Sequence, residues 1–170
     1  GAGLGLAFLL SIATSNPAAY ERHYVWLFWV NLTVATSLVL VIGAALWVVP
    51  MAWLTAAFGW KHAFTQMGWF FTKAALLTFG GAYAVLPYVY QGGVETYGWL
   101  TGPQMIDGLA LGETTPGPLI MVVAFVGFVG GWTKEIFGTE SLFLAGAAGA
   151  TVATFFTFLP SFLFILVGGP

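Results

Sequence analysis

Glu113, Thr114 and Thr115 stand directly before Pro116-Gly117-Pro118, inside the otherwise apolar run LALGETTPGPLIMVVAFVGF, residues 109–128. A titratable acid and two hydroxyls beside a sequence that cannot continue a helix make a set able to hold an anion. The break frees backbone amides at the start of the next half-helix, and such amides attract negative charge. Thr114 and Thr115 are candidate oxyanion donors, although threonine in membrane helices also bonds its own helix's carbonyls. Glu113 would repel a bound anion when ionised and so couple its release to protonation. Its structural alternative is to cap the free amides. Asp107, about a turn and a half earlier, reads as either a second member of a proton relay or an acid near an interface.

A second interruption lies upstream. The apolar stretch 63–90 carries Lys73, then Gly80-Gly81, and Pro87 follows. Lys73 is the only basic residue inside an apolar span, and a lysine charge at mid-membrane costs about 2.5–3.5 kcal/mol on insertion scales. It either pairs with a dianion at the glycine break or snorkels to an interface. Gly80, Gly81 and Gly117 act through backbone amides and close approach. Tyr83 and Gln91 are candidate lining residues.

These groups need a scaffold, and composition says which kind. Hydrophobic residues are 59% of the 170 and charged residues 6%, whereas a soluble domain carries about a quarter charged residues. Lipid is therefore the expected solvent, and the expected fold is all-α: polytopic, membrane-spanning, with helices broken at 80–81 and 116–118. Irregular backbone survives at membrane depth only where protein buries it or water reaches it. The chain holds no cysteine, which excludes disulfides and thiolate sites. His23 and His62 are far apart and read as interfacial residues, so no metal or other cofactor is expected. Nothing supports an enzyme, and no basic run suggests nucleic acid.

Along the chain, residues 3–13 are apolar but short, Ser15-Asn16-Pro17 reads as a break, and Glu21-Arg22-His23 as a polar connection. Residues 24–49 are a predicted span with Trp26, Trp29 and Trp47 towards its ends, and Asn31 and Thr33 as helix–helix contacts. A weaker apolar stretch, 50–60, ends at Gly59-Trp60-Lys61-His62. Residues 91–98 read as a turn. Thr101 is a predicted N-cap with Pro103 just inside the helix, which runs to about Gly112. Residues 119–132 form the next apolar piece, 133–141 a loop, and 142–159 a small-residue helix interrupted at Pro160-Ser161. Met67, Met105 and Met121 read as packing residues, and Trp99 and Trp132 as interface anchors. Lys61 and Lys134 fall on one side of the membrane, the cytoplasmic side by positive-inside bias, with Arg22 outside.

TFGGAYAVLPYV (78–89), GWLTGPQMIDGLALGETTPGPLIMV (98–122) and FLPSFLFIL (158–166) resemble, in order and spacing, the motifs of the chromate ion transporter family. The likeness runs from about Val48 to Pro170 and is closest to the carboxy-terminal half of long-chain members. It implies a multi-pass carrier of the bacterial inner membrane that exports chromate, a tetrahedral dianion like sulfate, using the proton-motive force. It also implies a partner: a second homologous half, fused or supplied by dimerisation. Residues 48–170 would be one half-domain, stopping where relatives continue into further membrane helices. Residues 1–47 form a separate amino-terminal segment. Within it, 8–44 loosely resemble the membrane helices of nitrogen-regulation sensor histidine kinases, through ERHYVWL. The rival functions are a sulfate or other anion carrier on the same scaffold and a non-transporting membrane sensor or anchor.

Overall fold

The computed structural model describes residues 17–77, 82–114 and 119–168. Six α-helices carry the described chain: α1 Pro17–Phe58, α2 Ala63–Leu77, α3 Ala82–Tyr90, α4 Gly102–Thr114, α5 Val122–Thr133 and α6 Leu142–Gly168. A π-helical turn, Gln91–Thr96, follows α3, and short 3-10 turns precede α5 (Leu119–Met121) and α6 (Thr139–Ser141). No strand occurs among the described residues. The protein is an all-α membrane protein, and two stretches, Tyr24–Phe58 within α1 and Thr139–Gly168, made of α6 and the 3-10 turn before it, are long and apolar enough to cross a bilayer.

The chain divides into two units, Gly1–Val41 and Ile42–Pro170, and α1 contributes to both. In the first, the helix presents large apolar side chains outward, Trp26, Phe28 and Trp29 among them. Asn31, Thr33 and Ser37 each bond a carbonyl of the same helix. Asn31 Nδ2 donates to the Leu27 carbonyl at 2.8 Å, and Thr33 Oγ1 donates to that of Val30 at 2.9 Å. The expected polar connection at Glu21-Arg22-His23 is instead helical. None of those three residues stops a helix, and Pro17 sits at the first helical position, where its missing N–H is harmless.

Pro160, expected to interrupt a helix, does not, and the span expected to end at residue 49 runs on through Pro50. Pro50 lies inside α1 and Pro160 inside α6. Each removes one backbone donor, but ending a helix in an apolar solvent would strand several more, so the helix continues. Trp47 consequently sits mid-helix instead of at an end. Its indole N–H donates to Thr72 Oγ1 at 2.9 Å, and its ring packs edge-on against Phe156 at 6.4 Å.

The second unit is built around α5 and α6. Gly127 and Gly131 face Ala145, Gly149 and Ala153 so closely that a Cβ on either glycine would fall on the backbone of α6. This small-residue contact replaces the hydrophobic drive that lipid removes between membrane helices. α2 packs on the same pair through Gly68, where a Cβ would lie 3.0 Å from the Phe156 ring. Met67 and Met105 are buried here as expected, whereas Met121 is 42% exposed.

Trp99 corrects another expectation. It is fully buried, because Gly98 turns the chain at φ +57° and the Trp99 N–H donates to the Gly93 carbonyl at 2.7 Å. Its ring stacks on Tyr97 at 4.6 Å and meets Phe70 edge-on at 5.5 Å. The Gly-Trp-Leu sequence is therefore a core plug, not an interface anchor. The turn Gln91–Thr96 takes up an extra residue, with the Tyr97 N–H reaching back five positions to the Gly92 carbonyl at 2.9 Å.

The start of α4 matches expectation. Thr101 and Gln104 form a reciprocal capping box: the Thr101 N–H donates to Gln104 Oε1 at 2.8 Å, and the Gln104 N–H to Thr101 Oγ1 at 3.4 Å. Two orphan donors are thereby satisfied. None of α2 to α5 alone reaches the roughly 20 residues of a span. Taken in pairs, α2 with α3 and α4 with α5, they do.

Candidate functional site

α4 carries Asp107 near its middle and Glu113 and Thr114 at its end, beside the 115–118 segment. All three side chains are exposed. Asp107 and Thr114 lie seven residues apart, hence on one helical face. Glu113 is six residues from Asp107, about 9 Å along the axis and about 120° around it. The two acids therefore share no face of α4. Thr114 Oγ1 donates to the carbonyls of Ala110 at 2.9 Å and Leu111 at 3.2 Å, the self-satisfied state in which its proton faces its own helix.

Lys73 lies on α2, half-buried, with Nζ 5.9 Å from the centroid of the Trp69 ring one turn earlier. A cation over an indole face is an attractive contact, and it directs the lysine towards the Lys61 end of α2. Thr72 beside it is occupied by Trp47 and by the Gly68 carbonyl, to which its hydroxyl donates at 2.7 Å. Tyr83, on α3, is 70% exposed, and Gln91 is exposed at the start of the π-helical turn. Gly80, Gly81, Thr115 and Gly117 lie outside the described residues, as do both proposed breaks. Lys73 and the α4 acids thus stand on separate elements, and the segments expected to join them are those two.

One polar feature was read in the sequence only as isolated flanks. Lys61, His62, Gln66, Tyr97, Lys134 and Glu135 line a single cleft of about 400 Å³. Lys61 and Lys134 therefore share one end of this unit, as the span arithmetic predicts. His62 caps α2: the Phe64 N–H donates to its Nδ1 at 3.3 Å, and the ring stacks on Phe58 at 4.6 Å. Burial pushes the imidazole below its ordinary value of 6.5. A proton on Nδ1 would also abolish the cap and place a positive charge at a helix N-terminus.

The sign of the pH effect follows. The unfolded chain takes up the His62 proton at higher pH than the folded chain, so this contribution to stability is complete above 6.5 and declines as pH falls towards the lowered folded value. The melting temperature in detergent is expected to drop between pH 7 and 5. His62→Asn keeps a capping oxygen but does not titrate, and should lessen that drop. An identical acid slope in the variant would remove His62 as its source.

The family model for chromate transporters matches residues 65–170. A chromate transport protein of Cupriavidus metallidurans is 37% identical over 106 residues, which is 62% of this chain and 23% of the relative. A chromate transport protein of Pseudomonas aeruginosa is 37% identical over 139 residues, 80% of this chain and 29% of the relative. An uncharacterised transporter of Bacillus subtilis is 39% identical over 64 residues, 36% of each chain. This chain thus spans less than two-fifths of the length of each of these relatives. No solved structure matches it.

Proposed function

Because this chain belongs to the chromate transporter family, we propose that it is part of a carrier that exports chromate, or a similar tetrahedral oxyanion, using the proton-motive force. The observation that carries this reading is the family match over 65–170, the stretch that holds both candidate break segments. Residues 48–170 act as a half-domain in a multi-pass protein of the bacterial inner membrane, completed by a second homologous half. Residues 1–47 are a distinct membrane segment. The oxyanion is held by Lys73, by the amides of Gly80, Gly81 and Gly117, and by the hydroxyls of Thr114 and Thr115. Glu113 couples binding to a proton, and Asp107 is the alternative carrier of that role. Thr114 would have to turn its hydroxyl away from its own helix to reach an anion, a rotation about one bond. No step calls for an enzyme-like covalent intermediate.

The test uses the complete transporter containing this half, reconstituted in liposomes. Chromate flux is expected to follow an imposed proton gradient and to collapse with it. Flux of sulfate but not chromate would favour the sulfate-carrier reading. Chromate flux indifferent to the gradient would remove the proton coupling and leave the substrate.

A further inference from the structure

The cleft holding Lys61 and Lys134 is lined by none of the residues proposed to bind the transported anion. Its polar lining arrives from four places. Lys61 and His62 come from the turn between α1 and α2, Gln66 from the first turns of α2, Tyr97 from the turn after the π-helical segment, and Lys134 and Glu135 from the end of α5. The lining holds two lysines and one glutamate. His62 uses Nδ1 to cap α2, which leaves its Nε2 as the ring's remaining polar atom. Tyr97 is set by its stack on the buried Trp99, so one wall of the cleft is anchored in the core.

The surroundings are those of a membrane surface. Trp60, Trp132 and Phe137 are 57%, 43% and 43% exposed; Trp60 and Phe137 adjoin the lining residues Lys61 and Ile136, and Trp132 stands two positions before Lys134. Exposed aromatic rings next to lysines at helix ends mark the headgroup level of a bilayer. Basic pockets between membrane helices at that level bind phosphorylated headgroups. Were Lys134 only a C-terminal cap for α5, and Lys61 only a solvated turn residue, there would be no reason for both to line one concavity with four further polar side chains.

We propose that this cleft is an anion site at the membrane surface that takes a phosphate group, with Lys61 and Lys134 as its charge partners. This site is separate from the transport reading and stands or falls without it. Glu135 opposes the anion and sets a limit on affinity. It adopts φ +47°, so its backbone position is fixed by the turn that closes α5.

The phosphate can belong to an anionic lipid headgroup or be free in solution, and binding measurements separate the two. The full chain in maltoside detergent is titrated with dihexanoyl-phosphatidylglycerol and, separately, with inorganic phosphate, using thermophoresis. Binding of the lipid without competition by inorganic phosphate assigns a headgroup site. Binding of inorganic phosphate, with competition between the two, assigns a free-anion site. In either case Lys61→Gln with Lys134→Gln is expected to weaken binding roughly tenfold or more, while Lys61→Arg with Lys134→Arg retains it. Glu135→Gln should tighten binding several-fold, a gain that a misfolded variant could not produce. The proposal is overturned if neither probe binds, or if the double glutamine variant binds as the parent does.

Discussion

Gly131→Leu is expected to abolish most of the folded, monodisperse protein, and Gly131→Ala to lower its melting temperature. A Cβ at Gly131 would meet the Ala145 carbonyl, which is backbone and cannot rotate aside. The helices α5 and α6 would have to separate, which also breaks the reciprocal contact of Gly127 with Gly149. Alanine gains about 1 kcal/mol of helix propensity over glycine. Overpacking a close contact costs about 1–3 kcal/mol, so the alanine variant loses by a modest margin and leucine by a wide one. In lipid no hydrophobic force between helices compensates for the lost close packing. Size-exclusion profiles and thermal unfolding in detergent report the effect. Gly168→Ala, at a helical position with nothing within 4 Å, is the control and should behave as the parent. A Gly131→Leu protein with unaltered yield and melting would mean that α5 and α6 do not meet through these glycines.

The parts of this architecture that are legible in sequence are those set by local chemistry. Thr101 with Pro103 announces a helix start because a cap is a local interaction, and the structure adds Gln104 as the capping partner. The Ala/Gly run 145–150 announces close packing, because only small side chains permit it. Proline and tryptophan mislead, since their meaning depends on the solvent and on distant partners. Pro160 stops a helix in water but is carried through α6, where ending the helix would expose more unpaired backbone than it spares. Trp99 and Trp132 look alike as residues. One is buried against Phe70, Phe71 and Tyr97, and the other stays half in the open. The difference lies in the positive φ of Gly98. The Lys61–Lys134 cleft is formed by residues 73 positions apart, and no window along the chain contains both. Of the candidate oxyanion residues, the sequence names types and order. Their proposed convergence would rest on segments 78–81 and 115–118, which lie outside the described residues.

Glu113→Gln, made in the complete transporter, is expected to leave chromate binding intact while flattening the pH dependence of flux. Glu113 closes the last turn of α4 and is exposed in this chain, immediately before the segment proposed to donate amides to the anion. A carboxylate and a dianion in one site repel each other, and a proton on the carboxyl removes that repulsion. Proton and substrate binding then favour each other, and by linkage each raises the other's affinity by the same factor. One obligatory proton gives a limiting slope of about tenfold per pH unit. Glutamine has the same shape, donates and accepts hydrogen bonds, and cannot titrate, so the slope should fall to less than about twofold per unit. Initial chromate flux in proteoliposomes across a pH series, parent against variant, measures this directly. Chromate binding measured separately distinguishes lost coupling from lost substrate. An unchanged pH profile at normal flux would leave Glu113 the structural role of capping free amides beyond the break. The coupling proton would then be sought at Asp107, seven residues before Thr114 and on the same face of α4.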